Sequence, residues 1–184
     1  MYFKSISIKI LTLLSALGAL AFEGDRKPVE FYLSSNRIFS PGENNIAVEF
    51  SGQVDAGSRV ELTAYRIVDP VTFFLAQKNP HSPGTSADDE NSGKAYALDT
   101  RDGKKFVKIT SWDLKLTSRD RYWQYQSIPV PVKEKGVYLI AATIDGRTAT
   151  APVVITELGM IVKQTRGEAL AFVVNRKNGE RVTD

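Results

Sequence analysis

The sequence contains no cysteine and a single histidine in 184 residues. No disulfide, thiolate metal site or thiol nucleophile can therefore be built from it. A Ser-His-Asp arrangement or a multi-histidine metal site would have to rest on His81 alone. Charge of one sign is also scarce, with 24 Lys and Arg against 21 Asp and Glu. The basic residues are scattered rather than striped, so there is no electrostatic case for nucleic acid or anionic membrane as a partner. No glycine-rich phosphate cradle precedes a helical stretch.

Long hydrophobic runs are missing too. The run ILTLLSALGALA at 10–21 has 12 residues, short of the roughly 20 that a membrane-spanning helix needs. Lys4 and Lys9 precede it, and it ends in Ala19-Leu20-Ala21, the small-x-small pattern of a signal-peptidase site. Residues 1–21 read as a signal peptide cleaved between Ala21 and Phe22. No cysteine follows, which excludes a lipoprotein-type anchor. Loss of the two lysines lowers the formal net charge from +3 to +1. An exported domain without disulfides fits the periplasm or cell envelope of a Gram-negative-type bacterium.

Beyond the leader the pattern is strand after strand, with little helical periodicity. VEFYL at 29–33 comes first, followed by SPGEN at 40–44, where Pro41 and Gly42 suit the middle of a type II turn. IAVEF sets Ile46, Val48 and Phe50 on one face. RVELTAYRI sets Val60, Leu62 and Ala64 against Glu61, Thr63 and Tyr65. Residues 78–94, KNPHSPGTSADDENSGK, hold no apolar side chain larger than alanine and predict a long mobile loop. KFVKITSWDLKL and YWQYQSIPVPV resume the strands, with SRDR at 118–121 as a hairpin tip. GVYLIAATI and RTATAPVVIT are joined by Asp145-Gly146, a two-residue turn with φ > 0 at both positions. LGMIVKQTRGEALAFVVNR opens a further pair, in which Leu170, Phe172 and Val174 alternate with smaller or polar residues. Asn178-Gly179 reads as another tight turn, and the returning strand ERVTD stops after a few residues.

These signals predict an all-β chain: an antiparallel, immunoglobulin-like β-sandwich over 22–156, then, past a boundary at Glu157, the first strands of a second, truncated sandwich over 157–184. A lone hairpin cannot cover its own apolar face.

FYLSSNRIFSPGENNIAVEF, VELTAYRIVDPVTFFLAQ, GVYLIAATIDGRTATAPVVITELGMIVKQ and LAFVVNRKNGERV together resemble the N-terminal end of bacterial α2-macroglobulins. These are large exported proteins built from a row of macroglobulin-type β-sandwiches. The resemblance implies protease trapping: cleavage of a bait segment triggers closure around the enzyme, and many members acylate it through an internal thioester. The thioester needs a cysteine, which is absent, and no bait region can be placed. What carries over is a structural portion of the trap. Its implied partners are proteases, reached through the full-length parent, and neighbouring macroglobulin-like domains, with no cofactor and no small-molecule substrate.

No residue emerges as catalytic, cofactor-binding or metal-ligating. His81 shares its loop with Asp88, Asp89 and Glu90, but a mobile loop does not hold donors in productive geometry. The DDE run lacks the spaced ligands and turn glycine of a calcium loop. The aromatic cluster Trp112, Tyr122, Trp123 and Tyr125 is the one candidate surface, a stacking platform for sugars or a protein partner. The competing expectation places Trp123 and Tyr125 in the core beside Trp112. A freestanding envelope adhesion or binding sandwich for carbohydrate or protein is the alternative to the trap.

Overall fold

Alternation decides which side of each strand is dry. In the computed structural model, residues 30–35, 37–55, 57–77, 105–117 and 124–182 are described. The leader with its cleavage site, the loop carrying His81, Asp88, Asp89 and Glu90, the SRDR segment, Tyr122 and Trp123 all lie outside these residues.

Among the described residues, nine strands and one short helix follow in order: β1 (Glu30–Ser34), β2 (Ala47–Gln53), β3 (Arg59–Ile67), α1 (Pro70–Leu75), β4 (Phe106–Lys115), β5 (Gln124–Pro129), β6 (Gly136–Ile144), β7 (Arg147–Ile155), β8 (Leu158–Thr165) and β9 (Glu168–Asn175). Every strand pairing is antiparallel. One sheet has the order β1-β2-β5 and the other β4-β3-β6-β7, while β8 and β9 form a separate two-stranded sheet. The two larger sheets face each other over one apolar core. Phe31, Leu33, Val48, Phe50 and Ile128 of the first sheet meet Val60, Leu62, Ala64, Ile140, Ala142, Ala151 and Val153 of the second. The expected faces of IAVEF and RVELTAYRI are the buried ones.

Local signals set the turns. Gly42 takes φ +78 and the Glu43 N–H donates to the Ser40 carbonyl at 3.3 Å, as the type II reading of SPGEN requires. Asp145 and Gly146 both have positive φ, 49° and 78°, so the two-residue turn between β6 and β7 is of the primed kind whose twist matches the strands.

Three expectations are corrected. The reading of SRDR as a hairpin tip fails, because β4 and β5, the strands that flank 118–121, belong to different sheets and are not the two arms of a hairpin. The Asn178-Gly179 turn is wider than two residues, with only Gly179 at positive φ. The Asn175 side chain accepts the Lys177 N–H at 2.8 Å and the Asn175 N–H donates to the Glu180 carbonyl at 2.8 Å, which sets the loop at 176–179. A helix also appears, although the sequence shows little helical periodicity. Asp69 caps α1 by accepting the Thr72 N–H at 3.0 Å, and Pro70 supplies the preset φ of its first turn. The Thr72 hydroxyl, and then that backbone bond, hold the Asp69 carboxyl below its ordinary pKa.

The helix has a packing purpose. β6 is dry on both sides, and its outward Leu139 is sealed by Phe73 of α1 together with Ile67 and Phe106. The Phe73 and Phe106 rings meet edge to face at 6.2 Å, the arrangement aromatic quadrupoles favour.

Tyr138, next to Leu139, faces the inner core from the start of β6. Its ring is buried and its hydroxyl donates to the Glu134 carbonyl at 3.1 Å, four residues back, which pins the entry of the strand in the manner of a tyrosine corner. Gly136 leaves the ring room, since a Cβ there would stand 3.1 Å from the Tyr138 hydroxyl. Burial raises the Tyr138 pKa above 10.0, against the opposing pull of Arg66.

Tyr138→Phe should cost about 1 kcal/mol in urea titrations at neutral pH, the worth of one hydrogen bond. The sign of its pH effect follows from burial. The folded phenol stays neutral while the unfolded one ionises near 10.0, so this stabilisation is whole below that pH and lost as pH rises through the folded value. The gap between wild type and Tyr138→Phe should narrow in alkali, and a gap constant to pH 11.5 would refute the burial account. Gly52→Ala should be the harsher change. Its Cβ would fall 2.5 Å from both the Glu30 carbonyl oxygen and the Phe31 Cβ, and overpacking of that kind costs about 1–3 kcal/mol. An unchanged denaturation midpoint would show that β1 yields freely.

Candidate functional site

Strand parity splits the predicted aromatic platform. On β5, Ile128 points into the core, so Tyr125 must point out, and it is 81% exposed. The expectation of a core position for Tyr125 is therefore wrong: its partner in register is Ser51, on the outer side of β2 opposite Phe50 and Gly52. Trp112 stands on β4 in the other sheet, half-buried against the core. These two residues do not converge on one surface. Tyr125 has a different neighbour that sequence reasoning missed. Tyr32 pairs with Ser51 from the far side, so one row across the outer face of the first sheet reads Tyr32-Ser51-Tyr125.

The charged groups with shifted pKa values have structural explanations. The Ser40 N–H, then Arg37, hold the Glu43 carboxyl below its usual range, which ties down the SPGEN turn. A hydrogen bond to Asp113, with the charge attraction that accompanies it, raises Arg59 and links β3 to β4 across their register. An open depression of about 390 Å³ is lined by Ser58, Arg59, Glu61, Thr143, Ile144, Asp145 and Gly146. It is polar and shallow, unlike the enclosed apolar pockets that hold small ligands. Among the described residues no group of three or more His, Cys, Asp or Glu could hold a metal ion.

Among the described residues, the β8–β9 hairpin carries an apolar surface that the core does not explain. In its register Met160 stands opposite Val173 and Val162 opposite Ala171 on one face, while Ile161 stands opposite Phe172 on the other. Met160 is 66% exposed and Ile161 62%. Leu158, Val162, Leu170 and Phe172 are exposed as well, so neither face of this ribbon is covered by a described residue to the extent a core strand would be. A wet strand has one apolar side; this pair has two.

No family model matches the chain, and no curated protein matches it. Solved structures do. A crystal structure of native alpha-2-macroglobulin from Escherichia coli spanning domains NIE-MG1 superposes with a TM-score of 0.57 at 13% identity, covering 83% of this chain and 73% of that one. A second, from the same protein and spanning MG0-NIE-MG1, gives 0.55 at 13% identity and covers 83% of this chain and 48% of that one. The fold is macroglobulin-type. At this identity the likeness concerns the fold, and the chain spans about half the length of the longer neighbour.

The macroglobulin-type assignment agrees with the expected all-β, antiparallel architecture. Burial separates the half-buried Trp112 from the exposed Tyr125. Trp112→Ala should lower stability by about 2 kcal/mol, less than a fully buried Trp because the ring is half-buried. Tyr125→Ala should stay within about 0.5 kcal/mol of wild type, as exposed substitutions do. Urea unfolding measures both, and a large loss at Tyr125 would mean that its ring packs against the fold after all.

Proposed function

We propose that the chain is the N-terminal structural portion of an exported bacterial α2-macroglobulin-like protease trap. The sandwich over 22–156 would serve as a rigid domain, and residues 157–184 would open a second macroglobulin-like sandwich. The observation that carries this reading is the superposition on NIE-MG1, which covers 83% of the chain. The doubly apolar hairpin supports it physically. Two strands alone are marginal in water, and a second sandwich would supply both an opposing sheet and a packed neighbour.

In this role the chain performs no catalysis. Proteases are met by the full-length parent, whose bait and any thioester lie elsewhere, and the part played here is mechanical. Sandwiches move as bodies about modest interfaces when the trap closes. The leader would deliver the parent to the periplasm or cell envelope. A second reading, a freestanding envelope sandwich that binds carbohydrate or protein, draws on the exposed Tyr125 beside Tyr32; the half-buried Trp112 removes one member of its platform.

An immunoblot of the source cells, with antibody raised to residues 22–156, decides between them. The trap reading expects a band far above 20.4 kDa, released by osmotic shock, whose first residue by N-terminal sequencing is Phe22. A product at or below 20.4 kDa with no larger form would overturn it in favour of the binding module.

A further inference from the structure

We propose that Arg176 is the latch of the joint between the sandwich and the β8–β9 hairpin, the side chain that fixes the angle at which one sits on the other. Among the described residues no strand of the sandwich pairs with β8 or β9, and the chain passes between the two bodies through Thr156 and Glu157. A ribbon attached at one point is free to swing and twist about it.

Arg176 supplies the second attachment. It follows β9 directly, and its backbone N–H donates to the Glu157 carbonyl at 2.7 Å, closing the base of the hairpin. Its guanidinium then reaches out of the hairpin. One nitrogen donates to the Ile38 carbonyl at 3.1 Å and the other to the Thr156 carbonyl at 3.4 Å. Ile38 belongs to the segment between β1 and β2, 138 residues earlier in the chain. That segment is itself clamped to the end of β7, because the Phe39 N–H donates to the Val154 carbonyl at 2.9 Å and the Thr156 N–H donates to the Phe39 carbonyl at 2.9 Å. Arg176 therefore grips a rigid corner, not a loose loop.

Chemistry suits arginine to this place. Its planar fork can serve two carbonyls at once, which a lysine point charge does less well, and a charged donor makes the stronger kind of hydrogen bond. Gly159 on β8 makes way for the stem: a Cβ there would stand 3.1 Å from the Arg176 Cγ. The Glu43 carboxylate feels the Arg176 charge as well as that of Arg37, and Arg37 lies over the Phe39 ring at 4.5 Å. The turn, the corner and the hairpin thus share one charged node. The latch stands whether or not the parent is a protease trap.

The absence of native cysteines allows clean double labelling for spin-spin distance measurement on the full chain. Lys135→Cys with Gln164→Cys reports across the joint, and Gln164→Cys with Lys177→Cys reports within the hairpin. The wild-type background should give a narrow distribution for both pairs. Arg176→Ala and Arg176→Gln should lose the narrow component across the joint while keeping it within the hairpin. The proposal is overturned by a cross-joint distribution unchanged in Arg176→Ala, or by one already broad in the wild type. It is equally overturned if the within-hairpin pair broadens too, since Arg176 would then serve hairpin folding and not orientation.

Discussion

Two sheets with no covalent tie stay stacked only while the apolar faces they press together remain sealed from water. Here the seal is made by unequal partners. The three-stranded sheet brings the Phe31 and Phe50 rings, stacked at 5.6 Å with 25° between their planes. The four-stranded sheet answers with Ala64, Ala142, Ala149 and Ala151 among its larger aliphatic side chains. Large against small is what lets two pleated surfaces interlock at the density of a crystal. The demand propagates outward. Gly52 is needed beside Phe31, because nothing larger fits between the Phe31 backbone and β2. Gly136 is needed beneath Tyr138, whose hydroxyl must still find the Glu134 carbonyl once its ring has been buried.

The sequence showed these inner faces plainly because burial of one face imposes period two on the residues themselves. Val60, Leu62 and Ala64, or Ile46, Val48 and Phe50, can be read as dry with no knowledge of what they touch. Turns that need special φ were equally visible, since Gly42 and the Asp145-Gly146 pair carry their conformation in their chemistry. Sheet membership was not visible. Whether β4 and β5 form a hairpin or cross between sheets depends on which partners lie further along the chain, here β3 for one and β2 for the other. Nothing local records that choice.

The misreading of Tyr125 has the same origin. An aromatic residue in a strand is a poor guide to parity, because burial rewards it on the inside and the outer side of a sheet tolerates it without penalty. Ile128, three residues on, was the better witness. The helix was a different case. Asp69-Pro70, with Asp69 placed to accept the Thr72 N–H, is a start signal, but the six residues of α1 are too few to show a helical period. The row Tyr32-Ser51-Tyr125 could not be found in one dimension at all, since it joins three strands whose pairing no local signal records.

β6 and the hairpin pose one problem and solve it differently. β6 has apolar residues on both sides, and the chain spends Phe73, Ile67 and Phe106 on covering the outer one. β8 and β9 carry the same two-sided pattern, with Met160 and Val162 on one face and Ile161 and Phe172 on the other. Among the described residues no second helix plays for them the part that α1 plays for β6. An opposing sheet can dry one face; the second needs another body against it. A ribbon so placed is sensitive to its angle, because a small rotation about Glu157 would carry either face away from whatever is meant to cover it. This is why a single well-anchored guanidinium at the base matters more than its few hydrogen bonds suggest. Arg176 acts with the full length of β8 and β9 as its lever arm, so a small displacement at Ile38 becomes a large one at the hairpin tip.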